Sequence, residues 1–282
     1  MYEAKIIAPI RFSDWVSNLV PTRKKTSEIK LCVDLRNLNK VSLKDNYPHT
    51  KMDRILQRVV GSTRISLLDG CSGYNQILVH PDDQAKIAFT TPWGTFMYVK
   101  MYFGLKNAGA TFQRSMDIAF TKEIRDFLVI YLDDIIVFSK SDKQHLDHLS
   151  QVFIKCRKYG ISLNPKEYLF GLEEGKLLGH IISKDGIRID LARIEAILQI
   201  QHPRSIRQLQ AFLGKINFLR RFISNIEKLI RSLNNMLKTD STIKWIVESK
   251  KSFEYIKLDL TKTQVLISPK FDKDFILFSF AS

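Results

Sequence analysis

Cysteine is scarce in this chain: Cys32, Cys71 and Cys156 are the only three among 282 residues. They lie far apart, with no CxxC pair and no histidine cluster beside them, which argues against a disulfide framework or a zinc site. Long apolar runs are also missing. "AKIIAPI" is shorter than a signal h-region, and the run around Asp133 is too short and too charged to span a bilayer. The expectation is a soluble, intracellular chain with no membrane partner. Short-period repeats and low-complexity tracts are absent as well, so neither a solenoid nor a disordered tail is expected. What remains is 45% hydrophobic residues, enough for one large or two modest domains with a genuine core.

The net charge is +15 and unevenly spread. Residues 1–60 carry 12 basic and 6 acidic side chains, residues 61–200 carry 17 and 16, and residues 201–262 carry 13 and 5. Two basic regions flank a nearly neutral middle. Basic surface binds phosphate polyanions through counterion release, which makes nucleic acid the leading partner class.

Along the chain, "RISLLD" reads as a buried strand ending at Asp69, followed by the turn "GCSG". "FMYVKMYFG" is a strand candidate stopped by Gly104. A helix is expected from about Ala110, with Phe112, Met116 and Ala119 on one face. "FLVIYL" and "IIVFSK" read as strands joined by a two-residue turn at Asp133-Asp134. From Lys143 to Tyr159, Leu146, Leu149, Val152, Phe153 and Cys156 recur at helical spacing. "KLLGHIIS" and "GIRI" read as strands around an Asp185-Gly186 turn. After Pro203 the pattern is helical, with a stripe of Leu209, Phe212, Leu213, Ile216, Leu219 and Phe222 and a capping-box pair in Ser205 and Gln208. The switch from mixed strands to helices near residue 190 is the expected domain boundary.

Adjacent carboxylates repel, and burying one without a partner costs roughly several kcal/mol. An isolated Asp-Asp pair usually marks an exposed turn. Here the flanking strands are apolar at successive positions and look central, and a further acid, Asp69, also ends an apolar strand. Three carboxylates at neighbouring strand ends form a hard-oxygen site suited to Mg²⁺. Such a site points to metal-assisted phosphoryl chemistry on a nucleic acid, with polymerase, nuclease and cyclase all still open.

The motifs "LCVDLRNLN", "LLDGCSGYNQI", "AFTTPWGTF", "FGLKNAGATFQ", "YLDDIIVFS", "LLGHIIS" with its "DGI", "QAFLGKINFLRRFI" and "SPKFDKDFIL" occur in this order. Together they resemble the reverse transcriptase of gypsy-type (metavirid) LTR retrotransposons over almost the whole chain. The resemblance implies an α+β right-hand polymerase that extends a primer on an RNA or DNA template with dNTPs. Its divisions would be partial fingers at 1–60, a palm at 61–190 with a finger insertion near 82–97, a helical thumb and connection at 191–268, and the start of a ribonuclease H-like segment at 269–282.

By the same resemblance Asp69, Asp133 and Asp134 are the catalytic acids. With the Gly70 backbone they would hold two Mg²⁺ ions, or Mn²⁺. Ser72 and Gly73 would offer backbone amides to the triphosphate, and Tyr74 would be the aromatic gate that excludes a ribose 2′-hydroxyl. Lys30, with Arg23, Lys24 or Lys25, would contact the triphosphate. Gln113 would border template and primer, and Leu178, Gly179 and His180 would form the primer grip.

The sequence also departs from the family pattern. Tyr102 and Gly109 replace prolines, which should loosen or reshape the backbone near the nucleotide. Glu167 stands where lysine is common, beside Lys166. Phe280 takes the place of the first ribonuclease H aspartate, so that activity is not expected of this polypeptide. The competing expectation to an active polymerase is a degenerate remnant that grips template-primer with little or no catalysis.

Overall fold

The computed structural model describes every residue except 24–28, 49, 71–72, 133, 166–167, 239–242, 263–264, 268–273 and 275–282, together with the side chains of all the others but 30, 31 and 238. In chain order the elements are β1 (Ile7–Pro9), β2 (Val16–Arg23), β3 (Ile29–Val33), α1 (Arg36–Val41), α2 (Met52–Val59) and β4 (Arg64–Asp69). Then come α3 (Pro81–Gln84), β5 (Ala88–Thr91), β6 (Gly94–Tyr98), α4 (Ala108–Ala119), α5 (Glu123–Asp126), β7 (Leu128–Tyr131) and β8 (Asp134–Ser139). The last are α6 (Asp142–Tyr159), β9 (Leu169–Leu172), β10 (Glu174–Leu177), β11 (His180–Ser183), β12 (Gly186–Ile189), α7 (Leu191–Leu198), α8 (Ile206–Phe218), α9 (Ile226–Asn235) and α10 (Val247–Leu260).

Two compact units result. The first comprises residues 1–51 and 64–172, the second residues 52–63 and 173–282. The first unit holds a five-stranded sheet of order β1-β6-β5-β2-β3 and a four-stranded antiparallel sheet of order β7-β8-β4-β9. Central β4 and β8 carry Ile65, Leu68, Ile135, Ile136 and Val137, all nearly inaccessible to solvent. Alternating faces of a two-sided buried sheet must both be apolar, which is why these strands read as continuous hydrophobic runs. Phe112, Met116 and Ala119 of α4 and Leu149, Val152 and Cys156 of α6 pack in the same core.

α6 is delimited by local chemistry. Ser141 Oγ accepts the N–H of Gln144, Asp142 sits in the first turn, Arg157 and Lys158 lie in the last, and Gly160 closes it at φ +67°. Each end satisfies orphan backbone groups and complements the helix dipole. Its buried face differs from the expected one: Leu146 is 69% exposed, and His145 takes its place one position earlier. The stripe is therefore His145, Leu149, Val152 and Cys156.

His145 is buried because its ring is satisfied on both sides, by Ser66 Oγ at 2.7 Å and by Ser139 Oγ at 2.9 Å. Ser139 Oγ also meets His148 Nδ1 at 2.8 Å, and Ser66 Oγ accepts the N–H of Gly171 at 3.0 Å. Burial, followed by His148 and Arg64, pulls the His145 pKa below its ordinary value. A neutral His145 lets every group in this chain donate once and accept once.

In the second unit β10, β11 and β12 form an antiparallel meander. "KLLGHIIS" is thus two strands rather than one, split at Leu178-Gly179. The following turn is Lys184-Asp185, and Gly186 already belongs to β12. The expected stripe of α8 is present, with Leu209, Phe212, Ile216, Leu219 and Phe222 buried. Ser205 Oγ caps the Gln208 N–H, and Gln208 Oε1 accepts from the N–H of Arg204 at 2.8 Å.

Candidate active site

β4 and β8 pair antiparallel from Arg64↔Ser139 to Asp69↔Asp134, so the last pair in the register is two carboxylates facing each other across adjacent strands. The β7–β8 hairpin pairs Tyr131 with Asp134. Asp134 is therefore part of β8 and not of the turn, which differs from the expected Asp133-Asp134 turn. Asp133 lies outside the described residues, while Asp134 opens β8. Leu132 adopts φ +54°, the left-handed conformation that such a tight hairpin requires. A leucine there is strained by about 1–2 kcal/mol.

Like charges directly opposite on a sheet destabilise it. The pKa of Asp134 is raised, first by burial against the sheet end and then by the charge of Asp69. Its side chain still reaches solvent, and Asp69 is half-buried. The donors of both side chains are hard oxygens suited to a divalent metal. Among the described residues no group of three His, Cys, Asp or Glu side chains converges, and the third expected acid, Asp133, is not one of them.

Beyond β4, Gly70 is buried and bridges to Leu163. Gly73 opens a 3₁₀ turn to Gln76, which places Tyr74 against Phe112 at 5.4 Å and Phe103 at 5.7 Å between ring centroids. Tyr74 and Asp69 thus flank one short loop. Ser72, Lys24 and Lys25 lie outside the described residues. Lys30 sits in β3, paired with Thr22.

Gln113 is only 3% exposed. Its amide donates to Asp117 Oδ1 at 3.0 Å and to the carbonyl of Ile130 in β7 at 3.3 Å. Asp117 in turn accepts the Tyr47 hydroxyl at 2.6 Å, and that hydrogen bond raises the Tyr47 pKa. The side chain therefore ties α4 to the hairpin bearing the acids. Tyr102 stacks on Tyr98 at 4.3 Å within the second core of the unit, and Gly109 lies in the first turn of α4. The half-buried Tyr102 ring packs against that core.

The second unit carries the other group of expected residues. Leu178 (φ +49°) and Gly179 (φ +77°) form the β10–β11 turn. His180 is fully buried, stacked on Phe218 at 4.8 Å and Phe222 at 5.8 Å, with Nδ1 donating to the Leu178 carbonyl at 3.1 Å. Its Nε2 is buried without a hydrogen-bond partner among the described residues. Burial lowers the His180 pKa. Sequence reasoning missed Arg193, whose guanidinium lies over Phe218 at 4.3 Å and occupies the space a Cβ on Gly179 would need, at 2.7 Å. It also missed Asn164, whose backbone and side chain both reach Asp69. No local pattern marks either residue, because each acts on a position distant in sequence. Among the described residues no helix is long and apolar enough to cross a membrane.

Residues 22–182 match the family described as Reverse transcriptase (RNA-dependent DNA polymerase). The chain is 32% identical over 276 residues to the Retrovirus-related Pol polyprotein from transposon 297 of Drosophila melanogaster, which covers 98% of this chain and 26% of that protein. It is 33% identical over 259 residues to the Transposon Tf2-3 polyprotein of Schizosaccharomyces pombe, covering 92% of this chain and 19% of that one. The chain thus spans about a quarter or less of these relatives.

Among solved structures it is similar to the foamy viral protease-reverse transcriptase in complex with double-stranded DNA, with a TM-score of 0.86 and 23% identity over 94% of this chain and 47% of that one. It is also similar to the foamy viral protein in complex with an RNA/DNA hybrid, with a TM-score of 0.79 and 23% identity over 93% of this chain and 35% of that one. The fold is therefore the expected α+β right-hand polymerase fold.

Proposed function

The chain belongs to the reverse transcriptase family of RNA-directed DNA polymerases, which are nucleotidyltransferases, and from that premise we propose that it extends a primer with dNTPs on an RNA or DNA template as part of a gypsy-type retrotransposon Pol. The observation that carries this reading is the cross-strand pair Asp69↔Asp134 at the ends of two buried strands. A divalent cation between the two aspartates would offset their mutual repulsion.

Asp69, Asp133, Asp134 and the Gly70 carbonyl would hold the metal, Mg²⁺ or Mn²⁺. When bound, two such ions lower the pKa of the primer 3′-hydroxyl and neutralise triphosphate charge. The protein's own contribution is alignment. The primer 3′-oxygen bonds to the α-phosphorus as the bond to pyrophosphate breaks, and the acids fix where those two oxygens lie. Tyr74, wedged between Phe112 and Phe103, presents a rigid ring as the gate against a 2′-hydroxyl. The amides of Ser72 and Gly73, with Lys30 and Lys24 or Lys25, receive the triphosphate. Gln113 acts from beneath by holding β7, while Leu178, Gly179 and His180 guide the primer strand.

The fingers, palm and thumb are assigned to 1–60, 61–190 and 191–268, and the basic first and third stretches supply phosphate contacts. Complexes of the foamy viral protein with double-stranded DNA and RNA/DNA hybrid support a template-primer duplex as partner.

Primer extension on an RNA template with dNTPs and Mg²⁺ or Mn²⁺ tests the proposal, with Asp134→Asn as control. Incorporation that the control abolishes supports it. Folded protein that binds template-primer but extends no further than the control sinks it and leaves the binding remnant.

A further inference from the structure

Asp69 has a different neighbour on each side. Across β8 stands Asp134, a like charge. On the β9 side, β4 pairs through Ile65↔Leu172 and Leu67↔Leu169, and that edge is continued past the strand by residues 162–164. The N–H of Asn164 donates to the Asp69 carbonyl at 2.9 Å, and Asn164 Nδ2 donates to Asp69 Oδ2 at 3.4 Å. Leu163 bridges Gly70. Ser162 and Gln76 exchange two bonds, the Ser162 N–H to Gln76 Oε1 at 2.7 Å and Gln76 Nε2 to the Ser162 carbonyl at 2.8 Å. Three consecutive residues thus contact Asp69 and Gly70 at the end of β4 and Gln76 at the end of the 3₁₀ turn that carries Tyr74.

We propose that Asn164 is a positioning residue that orients the Asp69 carboxylate for a divalent cation, its own segment held in place by the paired bonds between Ser162 and Gln76. The inference deepens the polymerase reading and rests on it for the identity of the cation site. Asn164 contributes a neutral donor. An amide fixes one carboxylate oxygen and leaves the charge of Asp69 undiminished for the metal, whereas a lysine in its place would neutralise that charge. Orienting partners of metal ligands typically account for about 10–100-fold in affinity. The length of the side-chain bond places Asn164 at the lower end of that range.

The test compares Asn164→Leu with Asn164→Gln in the full chain. Both fill the space and keep the backbone bond to Asp69, but only the second keeps an amide donor. Mn²⁺ binding is read by electron paramagnetic resonance in the presence of dideoxy-terminated template-primer and dNTP. Primer extension is measured in parallel on unblocked primer. The expected result is Mn²⁺ binding weakened about 10-fold in N164L and restored to within about twofold of wild type in N164Q, with primer and dNTP KM little changed in both.

Equal Mn²⁺ affinity in N164L and wild type overturns the proposal, as does N164Q binding as weakly as N164L, or wild type binding no Mn²⁺. The two readings separate cleanly. A wild type that binds Mn²⁺ with this pattern but extends no primer defeats the polymerase reading and leaves the positioning role standing. A wild type that extends primer while N164L is indistinguishable from it defeats only the positioning role.

Discussion

The two tight hairpins at β7–β8 and β10–β11 share a backbone device and differ in what they carry. Each turn begins with a leucine held at positive φ, +54° at Leu132 and +49° at Leu178. After Leu132 come residue 133 and Asp134, which ends the ladder opposite Asp69. After Leu178 come a glycine and a histidine buried between two phenylalanines. The same strained entry serves a charged, solvent-reaching tip in one case and an anchored, neutral one in the other. Strain alone therefore does not set what a hairpin tip carries; the residues that follow it do.

Substitution can break this comparison at several points. The largest expected effect is on Asp134→Asn, which should lower the primer-extension rate by roughly 10³-fold or more if the acids act as a unit. The thermal midpoint should rise at neutral pH, because the raised Asp134 pKa means the fold disfavours its charged form. Calorimetry beside the extension assay checks both halves.

His180→Ala should do the opposite. It removes a fully buried ring and destabilises the second unit by about 3 kcal/mol, read as a lower denaturation midpoint in urea.

Acid should also distinguish the tips. The His180 pKa is lowered by burial, so its neutral form is the folded one. Its contribution is fully present above the ordinary pKa of 6.5 and is lost as pH falls from there through the lowered value. His145, shifted in the same direction, adds to that loss. Unfolding followed from pH 7.5 to 5 should show the acid limb flatten in His180→Phe, and an unchanged limb would contradict the assignment.

Leu132→Gly should relieve about 1 kcal/mol of left-handed strain while reducing extension through a looser tip, measured as kcat falling with little change in dNTP KM. The smallest effect is expected at Gly109→Ala, a gain of up to about 1 kcal/mol from helix propensity in α4, visible as a small rise in midpoint with extension unchanged.

Much of this was legible in the sequence, and the misreadings have physical causes. β4 ends at Asp69 as expected, because an apolar run followed by glycine leaves few alternatives. The α8 cap was equally readable, since a serine three residues before glutamine is a local signal. The sequence points to an Asp-Asp turn, whereas Asp134 belongs to β8, because aspartates are common turn residues and a leucine at positive φ is an unusual one.

The α6 stripe was phased through Leu146 because a histidine scores as polar, and only Ser66 and Ser139 make its burial tolerable. Asn164 lies 95 residues from Asp69, in a stretch without periodicity. Neither spacing nor propensity encodes such a contact. Arg193 was invisible for the same reason, as it fills a space that exists only because Gly179 lacks a side chain.

The cross-strand acids have a consequence for lineage. A residue that stabilises its own fold is protected by selection for folding as well as by selection for activity. On the proposed reading Asp134 would have only the second protection, because its raised pKa means that the fold disfavours its charged form. Once a copy no longer needs to copy itself, drift at this position meets no resistance from folding. A chain that lost Asp134 would therefore keep its strands and, on the proposed reading, lose its chemistry, so the integrity of the fold is no measure of the state of this residue pair.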